Sequence, residues 1–306
     1  MALTTKTYPL PNSTTFNTAI PAFGLGTWQS SANATRDAVK HALQHGYRHI
    51  DTALNYGIEK EVGEGMRASG VPREQIWVTT KLDNHWHHRV QEGLQSSLDD
   101  LGLEYLDLYL IHFPCSTDPE DRGRVLEGWD FVKTWQEMQK LLETGKVRNI
   151  GVSNFQISHL EKLLNDPSCK IVPAINQIEL HPYNPSPKLL DYCNSKGIHC
   201  TAYSCLGGHS DSPINGQTNL TKDPIILKMA EKKNKTPAQI LLMWGLQRGV
   251  SVIPKSVTPA RIENNFELDG WSLSEEEFAE ISEIKTRAKV VGDGWMPTRV
   301  FLGDDE

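Results

Sequence analysis

No run in this chain approaches the roughly 20 consecutive apolar residues that a membrane-spanning helix needs. The start, Met1-Ala2-Leu3-Thr4-Thr5-Lys6, carries no apolar stretch of the kind secretory signals use. Cys-x-x-Cys pairs are missing as well. The cysteines at 115, 169, 193, 200 and 205 form an odd, irregular set, which argues against a disulfide framework and for reduced thiols in a cytoplasmic protein. The sequons at Asn12, Asn33 and Asn219 therefore carry little weight. Positive charge is in deficit, with 31 Lys and Arg against 38 Asp and Glu and a net charge of −7, so nucleic acid and anionic membrane are not the expected partners. No Pro/Gly/Ser linker, repeat or low-complexity tract divides the 306 residues, and one domain spanning 1–306 is expected.

What the chain does have is alternation. Apolar, strand-like runs fall near 22–25, 47–50, 76–81, 106–112, 147–152, 174–178, 198–202 and 250–253. Helical patterns lie between them, among them Arg36–His45, Glu59–Ala68, Val90–Leu101, Trp129–Leu142 and Ile225–Lys233. Gly46, Gly70, Gly102, Gly145, Gly197 and Gly249 stand near helix ends before the next strand, where C-terminal caps belong. Eight strands alternating with helices point to an α/β fold, a closed (β/α)8 TIM barrel, with an open doubly wound sheet as the alternative. Residues 7–20, with turn chemistry at Pro11-Asn12-Ser13, read as an N-terminal β-hairpin. Segments 205–222 and 286–306 break the rhythm and read as long loops of the lid or binding kind.

Asp51, Tyr56, Lys81 and His112 each stand at or just past the end of one of these runs. In a parallel barrel all strand ends open onto one face, where the active site sits. An acid, a phenol, an amine and an imidazole meeting in one cup make a constellation for proton transfer. A phenol with a pKa near 10 is a poor donor at neutral pH, and an adjacent ammonium that stabilises the phenolate makes it a better one. Lys81 suits that role, with Asp51 holding it charged and His112 orienting a carbonyl oxygen. Taken singly, each has a plainer reading: Asp51 as a helix cap, His112 as a core histidine, Tyr56 and Lys81 as surface residues.

Three long motifs carry a family resemblance. They are Gly46-Tyr47-Arg48-His49-Ile50-Asp51-Thr52-Ala53 with Tyr56, Gly145-Lys146-Val147-Arg148-Asn149-Ile150-Gly151-Val152-Ser153-Asn154-Phe155, and Ile253-Pro254-Lys255-Ser256-Val257-Thr258-Pro259-Ala260-Arg261-Ile262. Gly24-Leu25-Gly26-Thr27-Trp28 and Asn176-Gln177-Ile178-Glu179-Leu180-His181-Pro182 extend it over nearly the whole chain. On these residues the chain resembles the aldo-keto reductases. The resemblance implies a (β/α)8 barrel, monomeric or weakly associated, that reduces small-molecule aldehydes and ketones with NADPH. It makes Tyr56 the proton donor, tuned by Lys81 and Asp51, with His112 orienting the substrate. Ser153, Asn154 and Gln177 would hold the nicotinamide carboxamide and Tyr203 would stack on the ring. Ser204, Leu206 and Gly207 would follow the pyrophosphate, with Gly26, Thr27 and Trp28 at the same cleft.

Cofactor choice also has a physical side. Gly24-Leu25-Gly26 leads into Thr27-Trp28-Gln29, so no G-x-G-x-x-G fingerprint opens a Rossmann-type site. Lys255, Ser256, Val257, Thr258 and Arg261 instead follow the last strand and open a helix, and cations plus hydroxyls at a helix N-terminus suit a phosphate monoester. The 2′-phosphate of NADPH is the natural candidate, and the family resemblance implies Asn264 and Asn265 beside the adenosine. The chain departs from the family pattern at Asp83, where an aromatic residue is common, at Phe113 within His112-Phe113-Pro114, at Cys205 and at Asn264. Trp28, Tyr56, Phe113 and Trp295 are expected as aromatic walls, and Asp83 either as an acceptor for the hydroxyls of a sugar or small hydroxy-aldehyde or as a cap on a helix near residue 86. Trp86 and Trp129 read as packing. His85-Trp86-His87-His88 lacks a carboxylate or cysteine partner, so no metal is expected. A cofactor-binding regulatory barrel and a barrel that uses the phosphate site for its substrate remain the rival readings.

Overall fold

The protein is described from a computed structural model covering residues 3–13, 18–208 and 219–303. A short antiparallel hairpin comes first, β1 (Thr7–Pro9) paired with β2 (Ala19–Pro21), Tyr8 opposite Ile20. Eight parallel strands follow: β3 (Leu25–Gly26), β4 (His49–Asp51), β5 (Trp77–Leu82), β6 (Leu108–Ile111), β7 (Ile150–Ser153), β8 (Ile175–Glu179), β9 (His199–Tyr203) and β10 (Ser251–Val252). Each pairs with the next in chain order. The first and last are joined by parallel bridges, Phe23 to Val252 and Gly26 to Lys255, with the Gly24 N–H donating to the Val252 carbonyl at 2.9 Å. The sheet therefore closes into a barrel, which leaves no open edge.

Helices α1 (Ala32–Gln44), α2 (Glu59–Ser69), α3 (Val90–Leu101), α4 (Phe131–Lys140), α5 (Ile157–Leu164) and α6 (Pro187–Ser195) link successive strands. After β9 come α7 (Pro224–Lys233) and α8 (Pro237–Gln247), and after β10 come α9 (Pro259–Phe266) and α10 (Glu275–Ser282). The alternation read from the sequence is present in full. Boundaries shift by a few residues: α1 begins directly after Ser31, and the pattern over 129–142 ends its α-helix at Lys140 and tightens into a 3-10 turn over Leu141–Thr144. All six capping glycines carry positive φ, for example 76° at Gly70 and 65° at Gly102, a conformation that costs other residues strain. Helix α8 escapes pattern reading because it is apolar all round and buried from Gln239 to Leu246.

Strand periodicity divides the core. Tyr109, Ile111, Val78, Val152 and Ile178 face the helices in one large cluster. Trp77, Leu108, Leu110 and Ile175 point inward and pack on Leu10 and Ile20 of the hairpin, which plugs the N-terminal mouth. Above that plug the interior turns polar, with the Trp77 indole and the His49 ring both at the Thr79 hydroxyl (3.0 and 3.1 Å). Burial drives the His49 pKa down to about 3, with Lys81 adding to the effect. One mouth is thus filled and the other left to the loops. No helix among the described residues is long and apolar enough to cross a membrane.

Two contacts on the helical shell lead to predictions. A Cβ on Gly63 of α2 would overlap the Leu101 carbonyl oxygen and stand 2.7 Å from its carbon. Alanine gains about 1 kcal/mol of helix propensity over glycine, but a backbone overlap costs about 1–3 kcal/mol or more. Gly63→Ala is expected to lower the urea midpoint; an unchanged or raised midpoint would show that the two helices can part freely. Glu59 is buried, accepts a hydrogen bond from the Thr80 hydroxyl, and leaves its other oxygen without a partner among the described residues. Burial raises this carboxyl from 4.5 to about 7. The unfolded chain then ionises first, so stability falls as pH climbs through that window. Glu59→Gln should flatten the decline in urea midpoint between about pH 5 and about pH 8, and a slope equal to wild type would refute the assignment.

Candidate active site

Asp51 closes β4, Tyr56 ends a 3-10 turn over Leu54–Tyr56, Lys81 lies in β5 and His112 follows β6. Asp51 sits opposite Thr79 in the β4–β5 register, which places Lys81 on the same face two residues nearer the open mouth. Its ammonium contacts three oxygens: Asp51 Oδ1 at 2.7 Å, the Thr52 carbonyl at 2.7 Å and Tyr56 Oη at 3.2 Å. Asp51 Oδ2 accepts the Gln177 amide at 2.6 Å and its carbonyl accepts the Thr27 hydroxyl at 3.0 Å. Every donor of Lys81 therefore has an acceptor, which a buried charge requires.

Burial works against the Lys81 ammonium, but Asp51 and Tyr56 outweigh it and hold its pKa above the ordinary amine value. Burial also lifts the Asp51 carboxyl, opposed by Lys81 and Gln177. A 2.7 Å contact with all of its partners in place makes this an ion pair. At Tyr56 desolvation raises the phenol pKa, Lys81 pulls it back, and the net direction is upward. The ammonium thus moderates the rise and does not bring the phenol below its ordinary value, because the surrounding protein strips water from the ring oxygen. The His112 pKa lies well below the usual imidazole range, through burial first and then Lys81 and His87. Its ring is neutral, stacks on Phe113 at 4.9 Å and meets the Tyr56 ring edge-on at 5.7 Å.

A cleft of about 1160 Å³ opens above these groups. That exceeds the ~300–1,000 Å³ of ordinary small-molecule sites and leaves room for a dinucleotide together with a substrate. Asp51, Tyr56 and His112 line it, as do the aromatic residues Trp28, Phe113 and Trp295, while Lys81 stands behind the lining. Every residue assigned to the nucleotide lines the cleft except Gly207. That glycine instead donates its N–H to the Ser204 carbonyl at 2.7 Å in a left-handed turn (φ 76°) against Leu220. In mid-cleft, Ser153 Oγ donates to the Gln177 carbonyl at 2.8 Å. The Asn154 amide donates to the His112 carbonyl at 2.9 Å, and its oxygen accepts the Tyr203 hydroxyl at 2.6 Å. Asn154 holds φ at 64°, a strained value for a residue other than glycine. At the far end Lys255 is tied to the Gln29 carbonyl at 2.9 Å, and Arg261 is exposed on the first turn of α9.

Asp83 is a correction. It does not line the cleft. Its Oδ1 caps the turn Asn84–Trp86, and its Oδ2 faces His85 at 3.1 Å and Arg122 at 3.6 Å. A carboxylate between an imidazole, a guanidinium and a backbone N–H has little left for a substrate hydroxyl, so the capping reading stands. Trp86 packs under Arg89 at 4.3 Å and Trp129 bonds Thr134, both as packing residues. Residues 209–218 of the loop expected over 205–222, and the end 304–306, lie outside the described residues. Among the described residues no group of three or more His, Cys, Asp or Glu is placed to hold a metal ion.

Sequence reading missed part of the lining: Asn55 beside Tyr56, Lys289-Val290-Val291 at the rim, and Thr236-Pro237-Ala238 at the end near Arg261. Asn55 was adjacent to a named residue and open to inspection. The apolar pair Val290-Val291, set between Lys289 and Gly292-Asp293, was the available signal for the rim.

The profile of the Aldo/keto reductase family matches residues 22–286. The chain belongs to the aldo-keto reductase family. This aldo-keto reductase is 44% identical over 301 residues to a glycerol 2-dehydrogenase (NADP+) of Saccharomyces cerevisiae, covering 92% of this chain and 94% of that protein. It is 46% identical over 263 residues to a D-galacturonate reductase of Hypocrea jecorina, covering 81% and 82%. Among solved structures, a Bombyx mori aldo-keto reductase in complex with NADP superposes with a TM-score of 0.85 at 38% identity, covering 95% of this chain and 96% of that one.

The ion pair at the base of this reductase's cleft yields a stability prediction. Removing one partner of a buried pair costs about 3–5 kcal/mol, because the other charge is left uncompensated. Asp51→Asn should therefore be less stable in urea than the double variant Asp51→Asn with Lys81→Met. Equal stability of the two variants would mean that the pair is not dry.

Proposed function

We propose that this aldo-keto reductase is an NADP-dependent oxidoreductase that reduces the carbonyl of small aldehydes, sugars or hydroxy-aldehydes among them, with Tyr56 as the proton donor. The observation that carries the reading is the Tyr56 hydroxyl 3.2 Å from an ammonium that Asp51 and the Thr52 carbonyl hold in place at 2.7 Å. NADPH held by the cleft residues would supply the hydride that the carbonyl carbon takes up. Tyr56 Oη gives its proton to the carbonyl oxygen, and the product is an alcohol. Desolvation keeps the proton on Tyr56 until it is needed, and Lys81 stabilises the phenolate that remains. His112, neutral at working pH, is suited to hydrogen-bond and orient the carbonyl oxygen.

For the nucleotide, Lys255, Ser256, Thr258 and Arg261 gather cations and hydroxyls at the start of α9, which suits the 2′-phosphate that separates NADPH from NADH. The NADP named for the yeast and silkworm relatives supports this choice. Ser153, Asn154 and Gln177 offer a carboxamide the polar groups it needs, and Tyr203 offers a ring face. Trp28, Phe113 and Trp295 would wall the substrate and exclude water. With Asp83 outside the cleft, the preference for hydroxylated substrates rests on the glycerol and galacturonate named for the two fungal relatives.

The test is Tyr56→Phe. It should bind NADPH as the wild type does, read by quenching of tryptophan fluorescence, and lose a factor of about 10²–10⁴ in carbonyl reduction, the usual worth of a positioned general acid. Activity within about tenfold of wild type would remove Tyr56 as the acid.

A further inference from the structure

The tail that walls the cleft, residues 288–303, has no helix or strand, and Val300 is its one buried side chain. What fastens it is backbone. The Ala288 N–H donates to the Tyr183 carbonyl at 3.0 Å, and the Gly303 N–H to the Gln156 side-chain oxygen at 3.0 Å, with Leu302 on the same oxygen. Between these ends, consecutive N–H groups of Val290 and Val291 meet the two oxygens of one carboxylate, Glu179, at 2.6 and 2.8 Å.

Glu179 ends β8, two residues past Gln177, and so faces the same open mouth. It is 3% exposed, and its Oε1 also contacts the wholly buried His181 ring at 3.0 Å. Val290 and Val291 line the cleft with their neighbours Lys289 and Trp295, and the Trp295 ring stands edge-on to Phe113 at 5.3 Å. The distance from strand β8 to that aromatic wall is therefore set through two charge-assisted hydrogen bonds, the strong kind.

We propose that Glu179 is the tether that fixes the substrate wall, a positioning residue that governs how tightly large carbonyl substrates are held and does not act on the reacting atoms. A carboxylate is required for it: both of its oxygens accept, whereas a glutamine would turn an NH2 group toward one of the two N–H donors. Aromatic substrates need the Trp295 wall in place, while a three-carbon aldehyde fits against Tyr56, His112 and Trp28 without it. This rests on the carbonyl-reductase reading above, so the experiment carries one readout that needs no turnover.

That readout is trypsin. The Lys289–Val290 bond is a cleavage site at the tether itself, and its hydrolysis in the folded protein can be followed by mass spectrometry. In Glu179→Gln, cleavage there should accelerate by about tenfold or more, since loss of a hydrogen bond to a charged group is worth at least that factor. The KM for 4-nitrobenzaldehyde should rise by a similar factor with kcat held within about twofold, and kinetics with glyceraldehyde should change little. Val291→Pro, which deletes one donor from the tail side and leaves the Lys289–Val290 bond open to trypsin, should reproduce both effects. The tether stands only if cleavage accelerates and the kinetic loss is confined to KM for the aromatic aldehyde. Unchanged cleavage, or equal losses on both aldehydes, overturns it. Should the wild type reduce neither aldehyde, the proposed function fails, and the cleavage rates of the two variants alone decide the tether.

Discussion

A lysine ammonium buried inside a barrel is costly, and much of the site is arranged to keep it charged. Several kcal/mol of lost hydration must be recovered per buried ion, and Lys81 recovers it from Asp51, the Thr52 carbonyl and Tyr56. Those partners are fixed in turn: Thr27 bonds the Asp51 carbonyl and Gln177 bonds its carboxylate. Strands β4, β5 and β8 and the loop after β3 are thereby tied to a single charge. A residue that also lines the nucleotide cleft, Gln177, thus helps to stabilise the ion pair, so fold and chemistry share hydrogen bonds here.

The barrel separates its two ends. At the floor, apolar side chains from the strands and the hairpin exclude water and supply packing. At the mouth, the groups are polar, several stand on turns with left-handed backbone such as Asn154 and Ser204, and the walls are loops. Strain and polar chemistry concentrate where loops can carry them. Neutral His112 and charged Lys81 sit in the same cup because burial without an ionic partner discharges an imidazole, while burial against a carboxylate retains an ammonium.

Much of this was legible in the sequence. Strands with runs such as Leu108-Tyr109-Leu110-Ile111 announce themselves by apolar density, and the glycines mark where helices must stop. Asp51 and His112 could be placed because barrel topology sends every strand end to one face, whereas Ser153 and Tyr203 could be placed only through the family motifs they stand in. Asp83 could not. Its position in the chain is two residues past Lys81, and only the fold shows that it turns away to cap Asn84–Trp86 and face Arg122. Helix α8 hid for the opposite reason, since a helix buried on all sides has no stripe to read. The strap was invisible because its anchoring uses peptide N–H groups, which every residue but proline possesses.

That last point has a consequence for how such a protein can change. Glu179 and Gln156 grip the tail without reading its side chains. These bonds ask of residues 290, 291 and 302 only that they not be proline, whereas Gly303 holds φ at 78°, where glycine is favoured. The wall facing the substrate can accordingly be rewritten, one side chain at a time, with the barrel and its buried charge left alone. A new appetite for carbonyls would then cost this scaffold very little stability.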